Sequence, residues 1–347
     1  MQSFISFVVI FATLVLVHEL GHFTVAKLTG VKVHEFSVGF GPPLWRRRRG
    51  DTSYSVRAIP LGGYVKLAGM DPAEDAADEV GQDDPGNFYS KPIWARLSTM
   101  VAGPVMNFVL AILLYAFIFS YLGVPTVTIA NVNPGSPAAE AGLQSGDQIE
   151  RVGSYRIRTT MELVELIATS PNEEITIGLR RDDERVTLTA VPIRDPETGY
   201  GRLGVEIGEE RTRTGPIGAL GSAGGYTVNL ARMIVRFLSR AVTGRVDAEF
   251  VGPVGIYRTI QGIEEEAPTV GIFVIGLMVF AAYISVFLAL FNLVPIPILD
   301  GGWVVLLLLE AVRGRRLSPE QEGIFRLVGL AMVFALFIFV MFQDLFR

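Results

Sequence analysis

Two histidines and a glutamate, in the run His18-Glu19-Leu20-Gly21-His22, sit inside an apolar stretch that begins at Phe4 and ends only at Lys27. On a helix the i, i+4 spacing puts both imidazoles on one face, about one turn apart. There they can grip a single zinc ion, with the intervening carboxylate beside it as general base. An ionisable group in the middle of a membrane span costs about 2.5–3.5 kcal/mol on insertion scales, so a cluster of three needs a reason, and a bound metal supplies one. The plain alternative is a satisfied histidine pair in a membrane bundle, or a proton relay.

The rest of the composition narrows the ligand set. With no cysteines and only three histidines, the chain excludes thiolate ligation, disulfides and cysteine nucleophiles. A third ligand is therefore either His34 or an acid. His34 lies in the strand-like run Val31-Lys32-Val33-His34-Glu35-Phe36 and reads as structural. Asp300 is the other possibility. It closes Asn292-Leu293-Val294-Pro295-Ile296-Pro297-Ile298-Leu299-Asp300-Gly301-Gly302, whose two prolines and two glycines break a helix at or just inside a membrane. Irregular backbone is tolerated there only where it is buried in protein or lines a wet cavity. A carboxylate from such a segment would complete a two-histidine site and leave a fourth position for water. A simple Asp-Gly turn ending a helix is the competing reading.

Positioning these residues requires a membrane frame. Half of the 347 residues are hydrophobic and the mean hydropathy is positive, which predicts membrane spans plus one soluble module. Four stretches, near 4–26, 98–122, 270–294 and 323–342, reach the ~20 residues that a crossing takes. The first has no basic start and no small-residue cleavage site, so it reads as a retained span rather than a signal peptide. Lys27, Lys32 and Arg46 to Arg49 follow the first span, and Arg313, Arg315 and Arg316 lie between the last two. The positive-inside rule puts both loops in the cytoplasm and the long 123–269 segment outside. Net charge is −5 and no basic tract is interleaved with aromatics, which argues against nucleic acid as a partner.

Between the first two spans, 52–67 reads as a β-hairpin turning near Pro60-Leu61-Gly62-Gly63, and Asp71 to Gly86 as a solvated acidic loop. Residues 125–210 read as an α+β domain. A strand is expected at 126–130, then a short helix from Pro137 to Leu143 capped by Ser136, with Glu140 available to complete a capping box. A strand at 148–152, a helix over 160–169 and strands at 174–180, 185–192 and 203–207 follow. The 211–269 segment reads as amphipathic, with a helix over 217–243 lying at the membrane interface. Glu310 and Asp344 read as solvation at span ends, and Glu264-Glu265-Glu266 as a solvated turn.

The motifs around His18 and Asp300 together resemble the site-2 protease family of intramembrane zinc metalloproteases, over essentially the whole chain. Val17 to His22 resembles that family's first motif and Asn292 to Gly301 its second, N-x-x-P-x-P-x-L-D-G. Gly39-Phe40-Gly41-Pro42, Gly103-Pro104-Val105-Met106-Asn107 and Gly252-Pro253-Val254-Gly255-Ile256 are similar to elements of its bacterial branch, of the regulator-of-sigma-E-protease type. Trp303 departs from the pattern, where His or another polar residue is expected, but outside the ligand set.

The resemblance implies zinc held by His18, His22 and Asp300, Glu19 as catalytic base, and Asn292 as a substrate- or oxyanion-binding group. Asn107 is a substrate-positioning residue, a support behind the metal ligands or glue between helices. It implies a polytopic α-helical membrane fold of about four transmembrane helices with a membrane-associated β-hairpin, where an unwound substrate could add as a strand. Pro134 to Leu143 followed by Gly146-Asp147 resembles a circularly permuted PDZ domain. Its peptide-binding loop then falls at Gly201, Leu203, Gly204 and Val205.

The function implied is cleavage of single-pass membrane proteins in the bacterial inner membrane. The substrates, anti-sigma factors or remnant signal peptides, would be pre-trimmed by a first protease, and membrane lipid would be a further partner. A non-catalytic membrane PDZ adaptor is the alternative, and it leaves four intact metal-site residues without a purpose. A proton- or metal-coupled transporter would want polar residues along several spans, and the second and fourth are nearly bare.

Overall fold

The computed structural model describes residues 2–70, 81, 83–182, 184–196, 198–242 and 252–345. They divide into two units, one of 1–114 with 230–347 and one of 115–229.

The first unit holds most of the membrane-helix residues. Among the described residues, four helices contain apolar stretches long enough to cross a bilayer: Gln2–Leu28, Ile93–Leu122, Val270–Asn292 and Glu320–Asp344. We number the helices that carry them α1 (Gln2–Leu28), α2 (Ile93–Leu122), α7 (Val270–Asn292) and α9 (Pro319–Leu345). The chain leaves α1 sharply because Gly30 adopts φ +74, which lets the Val31 amide turn back onto the Ala26 carbonyl at 2.8 Å.

The polar chain after α1 forms two long strands, β1 (Val33–Arg49) and β2 (Thr52–Leu67). A tight turn joins β1 to β2. It lies at Gly50-Asp51, where Gly50 takes φ +59 and Arg49 faces Thr52. The chain of β2 does reverse its direction ahead of Gly63, near the expected turn, but its two arms are not partners of each other, because the early part of β1 lies between them. Glu35 to Val38 face Ser53 to Val56 on one side and Lys66 to Gly63 on the other. Alternation in β2 alone could not show that its partner came from upstream. The acidic loop expected over 71–86 falls largely outside the described residues. At its described end Asp84 pairs with Lys32 at 2.7 Å.

One apolar cluster (Ala26, Val31, Val33, Leu67, Phe88, Met100 and Leu307) ties α1, the strands, α2 and α8 (Asp300–Arg313) together. Another joins Ile10 and Leu14 of α1 to Ile260 of α6 (Pro253–Glu266), with Leu110 of α2 and Leu277, Phe280 and Leu288 of α7 packed around it. Three acids expected to be solvated take partners instead. Glu310 forms a two-bond ion pair with the buried Arg96, at 2.6 and 2.9 Å. Asp344 accepts from the Val254 and Gly255 amides at the start of α6, each at 3.1 Å, where a negative charge suits the exposed N–H groups. Glu264 accepts from the Ser3 hydroxyl, and 264–266 are the last turn of α6 rather than a free turn.

The second unit is built on an antiparallel sheet in the order β10 (Val205–Thr212), β3 (Val124–Val132), β4 (Gln148–Val152), β6 (Ile175–Arg181), β7 (Glu184–Ala190), with β5 (Tyr155–Arg156) beside β4. Its core includes Val127, Ile129, Ile149, Leu163, Ile177, Leu179 and Leu203. The first helix, α3 (Pro137–Glu140), is shorter than expected, and Ser136 caps it by accepting from the Ala139 amide. Glu140 lies one place too late to complete that box, since the third helical position is Ala139. The capping box is instead at α4 (Thr160–Ala168), where Thr159 and Glu162 satisfy each other's backbone. A small pair, β8 (Ile193–Arg194) with β9 (Gly201–Arg202), precedes β10. The expected helix over 217–243 is α5 (Pro216–Val242).

Candidate metal centre

The two histidines arrive on α1 and the aspartate on α8. α7 ends at Asn292, the prolines hold 293–299 out of a helix, and Asp300 then opens α8. The break is tight. A Cβ on Gly301 would lie 2.3 Å from the Leu293 and Val294 carbonyl oxygens, and one on Gly302 2.5 Å from that of Ile296. Ile298 is held at φ +84, a costly conformation for a β-branched residue.

Three side chains converge from these elements. His18 Nε2 lies 3.1 Å from Asp300 Oδ2, His22 Nε2 3.4 Å from Asp300 Oδ1, and the two Nε2 atoms 3.1 Å apart. A tetrahedral zinc with ligand bonds of about 2.0–2.2 Å sets its donors roughly 3.4 Å apart, so the triangle fits that ion. The donors are also otherwise unsatisfied toward its centre. Asp300 Oδ2 is buried and receives no hydrogen bond. Each imidazole spends its other nitrogen outward, His22 Nδ1 on the Thr99 carbonyl at 2.8 Å and His18 Nδ1 on the Asn107 carboxamide at 3.3 Å. The Thr99 carbonyl accepts the Nδ1 proton of His22 and so leaves its Nε2 lone pair for a metal. The Asn107 carboxamide does the same for His18 with its oxygen, which is buried without another partner among the described residues, turned to the ring. Both rings are 7% exposed, and among the described residues this is the one cluster of His, Asp and Glu donors with metal-binding geometry.

A cavity of about 390 Å³ opens on the triangle and is also lined by Glu19, Asn292, Tyr64, Val65, Lys66 and Trp303. Glu19 accepts a hydrogen bond from the Val65 backbone amide of β2. Gly63, beside it, packs so tightly that a Cβ would come 2.6 Å from the Ser37 carbonyl oxygen.

A buried polar network on the sheet holds this strand. Glu35 accepts from Ser55 at 2.5 Å and from Arg57 at 2.7 Å, and Arg57 also lies over the Tyr64 ring, 5.3 Å from its centre. Burial pushes the Glu35 carboxyl up, but the bonds from Ser55 and Arg57 and the Arg57 charge outweigh it and hold the group below its ordinary range. Burial, and next the Glu35 charge, push the Tyr64 hydroxyl up.

The residues expected at the metal thus meet, with one difference. Asn107 does not line the cavity. It is fully buried behind His18, and its carbonyl accepts from Ser285 of α7 at 2.8 Å. Enclosed in this way it is out of a substrate's reach, and it both supports His18 and joins α2 to α7. His34 is buried and lies outside the donor cluster. In the second unit the Gly201–Val205 loop is folded against the 133–138 turn, with Leu203 and Gly204 carbonyls accepting from Ala138 and Asn133. Sequence reasoning missed Thr99, Val65 and the close approach of α2. At Gly103 a Cβ would fall 2.3 Å from His22 Nε2, and at Gly21 one would fall 2.3 Å from the Ala102 carbonyl oxygen. The glycine in Gly103-Pro104 was the available signal.

A membrane protein of four candidate spans, with a His-Glu-x-x-His helix and a distant aspartate on one metal triangle, is an intramembrane metalloprotease in form. Comparison with known proteins agrees: residues 6–336 match the model of peptidase family M50, and the chain belongs to that family and is a zinc metalloprotease. It is 34% identical to metalloprotease MmpA of Caulobacter vibrioides, over 99% of this chain and 95% of the relative. It is 28% identical to the regulator of sigma-W protease RasP of Bacillus subtilis, over 100% and 99%. The PDZ domain of an SdrC-like protein of Listeria monocytogenes matches 25% of this chain and 88% of its own, at 19% identity and a TM-score of 0.22.

Proposed function

We propose that this zinc metalloprotease cleaves single-pass membrane proteins within or near their membrane segments, after a first protease has removed the outer part. The observation that carries the reading is the His18–His22–Asp300 triangle at the floor of a cavity bounded by the β2 strand. Bound zinc would acidify a water toward neutral pKa and polarise the scissile carbonyl. Glu19, in the same cavity, takes the proton of the attacking water and returns it to the leaving amine. The Val65 amide orients the Glu19 carboxylate for that exchange. Asn292, also lining the cavity, donates to the substrate backbone or to the developing oxyanion.

A helical substrate cannot be cut as it stands, because its carbonyls are already hydrogen-bonded. The 63–67 segment of β2 offers an edge beside the metal on which an unwound substrate can pair as a strand. Anti-sigma factors and remnant signal peptides are the substrates we favour. The relative's name, a regulator of a sigma factor, supports the first of these.

The basic loops support a setting in a bacterial inner membrane with the metal near the cytoplasmic face and the 125–210 domain outside. That domain reads as PDZ. β10 pairs only with β3 and forms an edge of the sheet, next to the loop Gly201, Leu203, Gly204 and Val205. This loop would receive a trimmed substrate end, or the domain would exclude substrates with intact outer parts.

The test is cleavage of a membrane-segment substrate by the purified chain in detergent, with zinc content measured alongside. Glu19→Gln should lose about 10²–10⁴-fold in turnover while keeping its zinc. Asp300→Ala should lose the metal. Equal cleavage by Glu19→Gln would refute the catalytic reading.

A further inference from the structure

The second unit contains a cavity of about 430 Å³ that the proteolytic reading does not use. All of its lining residues belong to that unit. Three arginines line it, Arg156, Arg158 and Arg180, with one acidic residue, Glu150. Glu150 is engaged by Arg180, at 2.7 Å, and Arg185, at 3.4 Å. Arg156 is exposed and makes no ion pair among the described residues. The first turns of α5 form another wall, with Gly218, Gly221 and Ser222 presenting little bulk and the positive end of a 27-residue helix close by. Thr214 also lines the wall, and its hydroxyl is buried without a hydrogen-bond partner among the described residues.

Other lining residues are apolar and lie at the end of a membrane span. Phe119, in the last turn of α2, lines the cavity with Val124, Pro125 and Tyr226. Phe119 and Tyr226 pack edge to face at 5.6 Å, and Tyr115 joins them at 4.8 Å from Tyr226. Aromatic clusters at span ends mark the level of lipid head groups. A cavity lined by arginines together with aromatic residues of a span end suits an amphiphile, with its anion at the arginines and its chains running along α2.

We propose that this cavity binds the phosphodiester head group of an anionic phospholipid and so moors the second unit to the membrane surface at which α2 ends. Guanidinium forks match phosphate oxygens in pairs, and each basic residue at a membrane surface adds to the attraction for anionic lipid.

The experiment uses the full chain in nanodiscs of phosphatidylcholine with and without phosphatidylglycerol, reading retained lipid by native mass spectrometry. The wild type should retain phosphatidylglycerol in preference to phosphatidylcholine. Arg156→Gln/Arg158→Gln should weaken that retention roughly tenfold or more, while Arg194→Gln, outside the cavity, should not. Arg156→Gln alone changes an exposed side chain and should show a smaller loss in the same direction, which keeps the test valid if the double variant folds poorly. Zinc content should be unchanged throughout. Full retention by both cavity variants would overturn the proposal. Displacement of the lipid by inorganic phosphate at equal concentration would overturn the lipid assignment in favour of a small-anion site.

Discussion

Asn107 shows how one residue can serve two neighbours. Its carboxamide meets His18 Nδ1 and its carbonyl receives Ser285, so the ring that binds metal is oriented by the same residue that joins α2 to α7. Groups behind metal ligands typically change affinity 10–100-fold when lost. Asn107→Leu should therefore weaken zinc binding by about that factor, read by competition with a chelator, with the helices still formed. From the sequence, the types and spacing of His18, Glu19 and His22 were enough to predict a metal pair and a base, because i, i+4 geometry is a local property of a helix. Asn107 could not be assigned in the same way, since its partner is 89 positions away and an asparagine in an apolar helix bonds whatever lies opposite.

At the scale of elements, β1 and β2 act as a rigid support that delivers the Val65 amide to Glu19. Glu35 is the buried charge at the centre of that support. Its carboxyl is held below the ordinary glutamate value of 4.5. The stabilisation is therefore full above that value and is lost as pH falls through the lower value of the folded state. Amide protection factors over 33–67, taken relative to the intrinsic exchange rate at each pH, should stay high at neutral pH and fall in the acid range below 4.5, and Glu35→Gln should remove most of that dependence. The Arg96–Glu310 pair ties α2 to α8, with side chains 5% and 16% exposed. Arg96→Met strands a nearly buried carboxylate and should cost about 3 kcal/mol of thermal stability in detergent, while adding Glu310→Leu should recover most of it. Helices and strands were largely legible along the chain. The pairing of β1 with both halves of β2 was not, because apolar alternation shows which face of a strand is buried and not which segment lies beside it.

For the whole molecule, the metal joins segments about 280 residues apart in sequence, so removing it should be felt in both activity and stability. A chelator at neutral pH should abolish cleavage and lower the unfolding temperature, and added zinc should restore both. Acidification should mimic the chelator, since the histidines must be unprotonated to bind. The sequence by itself determined the membrane class, the four spans, the His18–Glu19–His22 face and the broken segment ending at Asp300, because length, hydropathy and proline chemistry act locally. It also singled out Asp300, through a motif rather than through distance. Only the tertiary structure decided that the three donors close to within about 3.4 Å, that Gly21 and Gly103 allow α1 and α2 to approach so closely, and that Glu310 and Asp344 are bound rather than solvated. Those outcomes depend on which surfaces meet when the helices pack, and a linear pattern does not contain the partner.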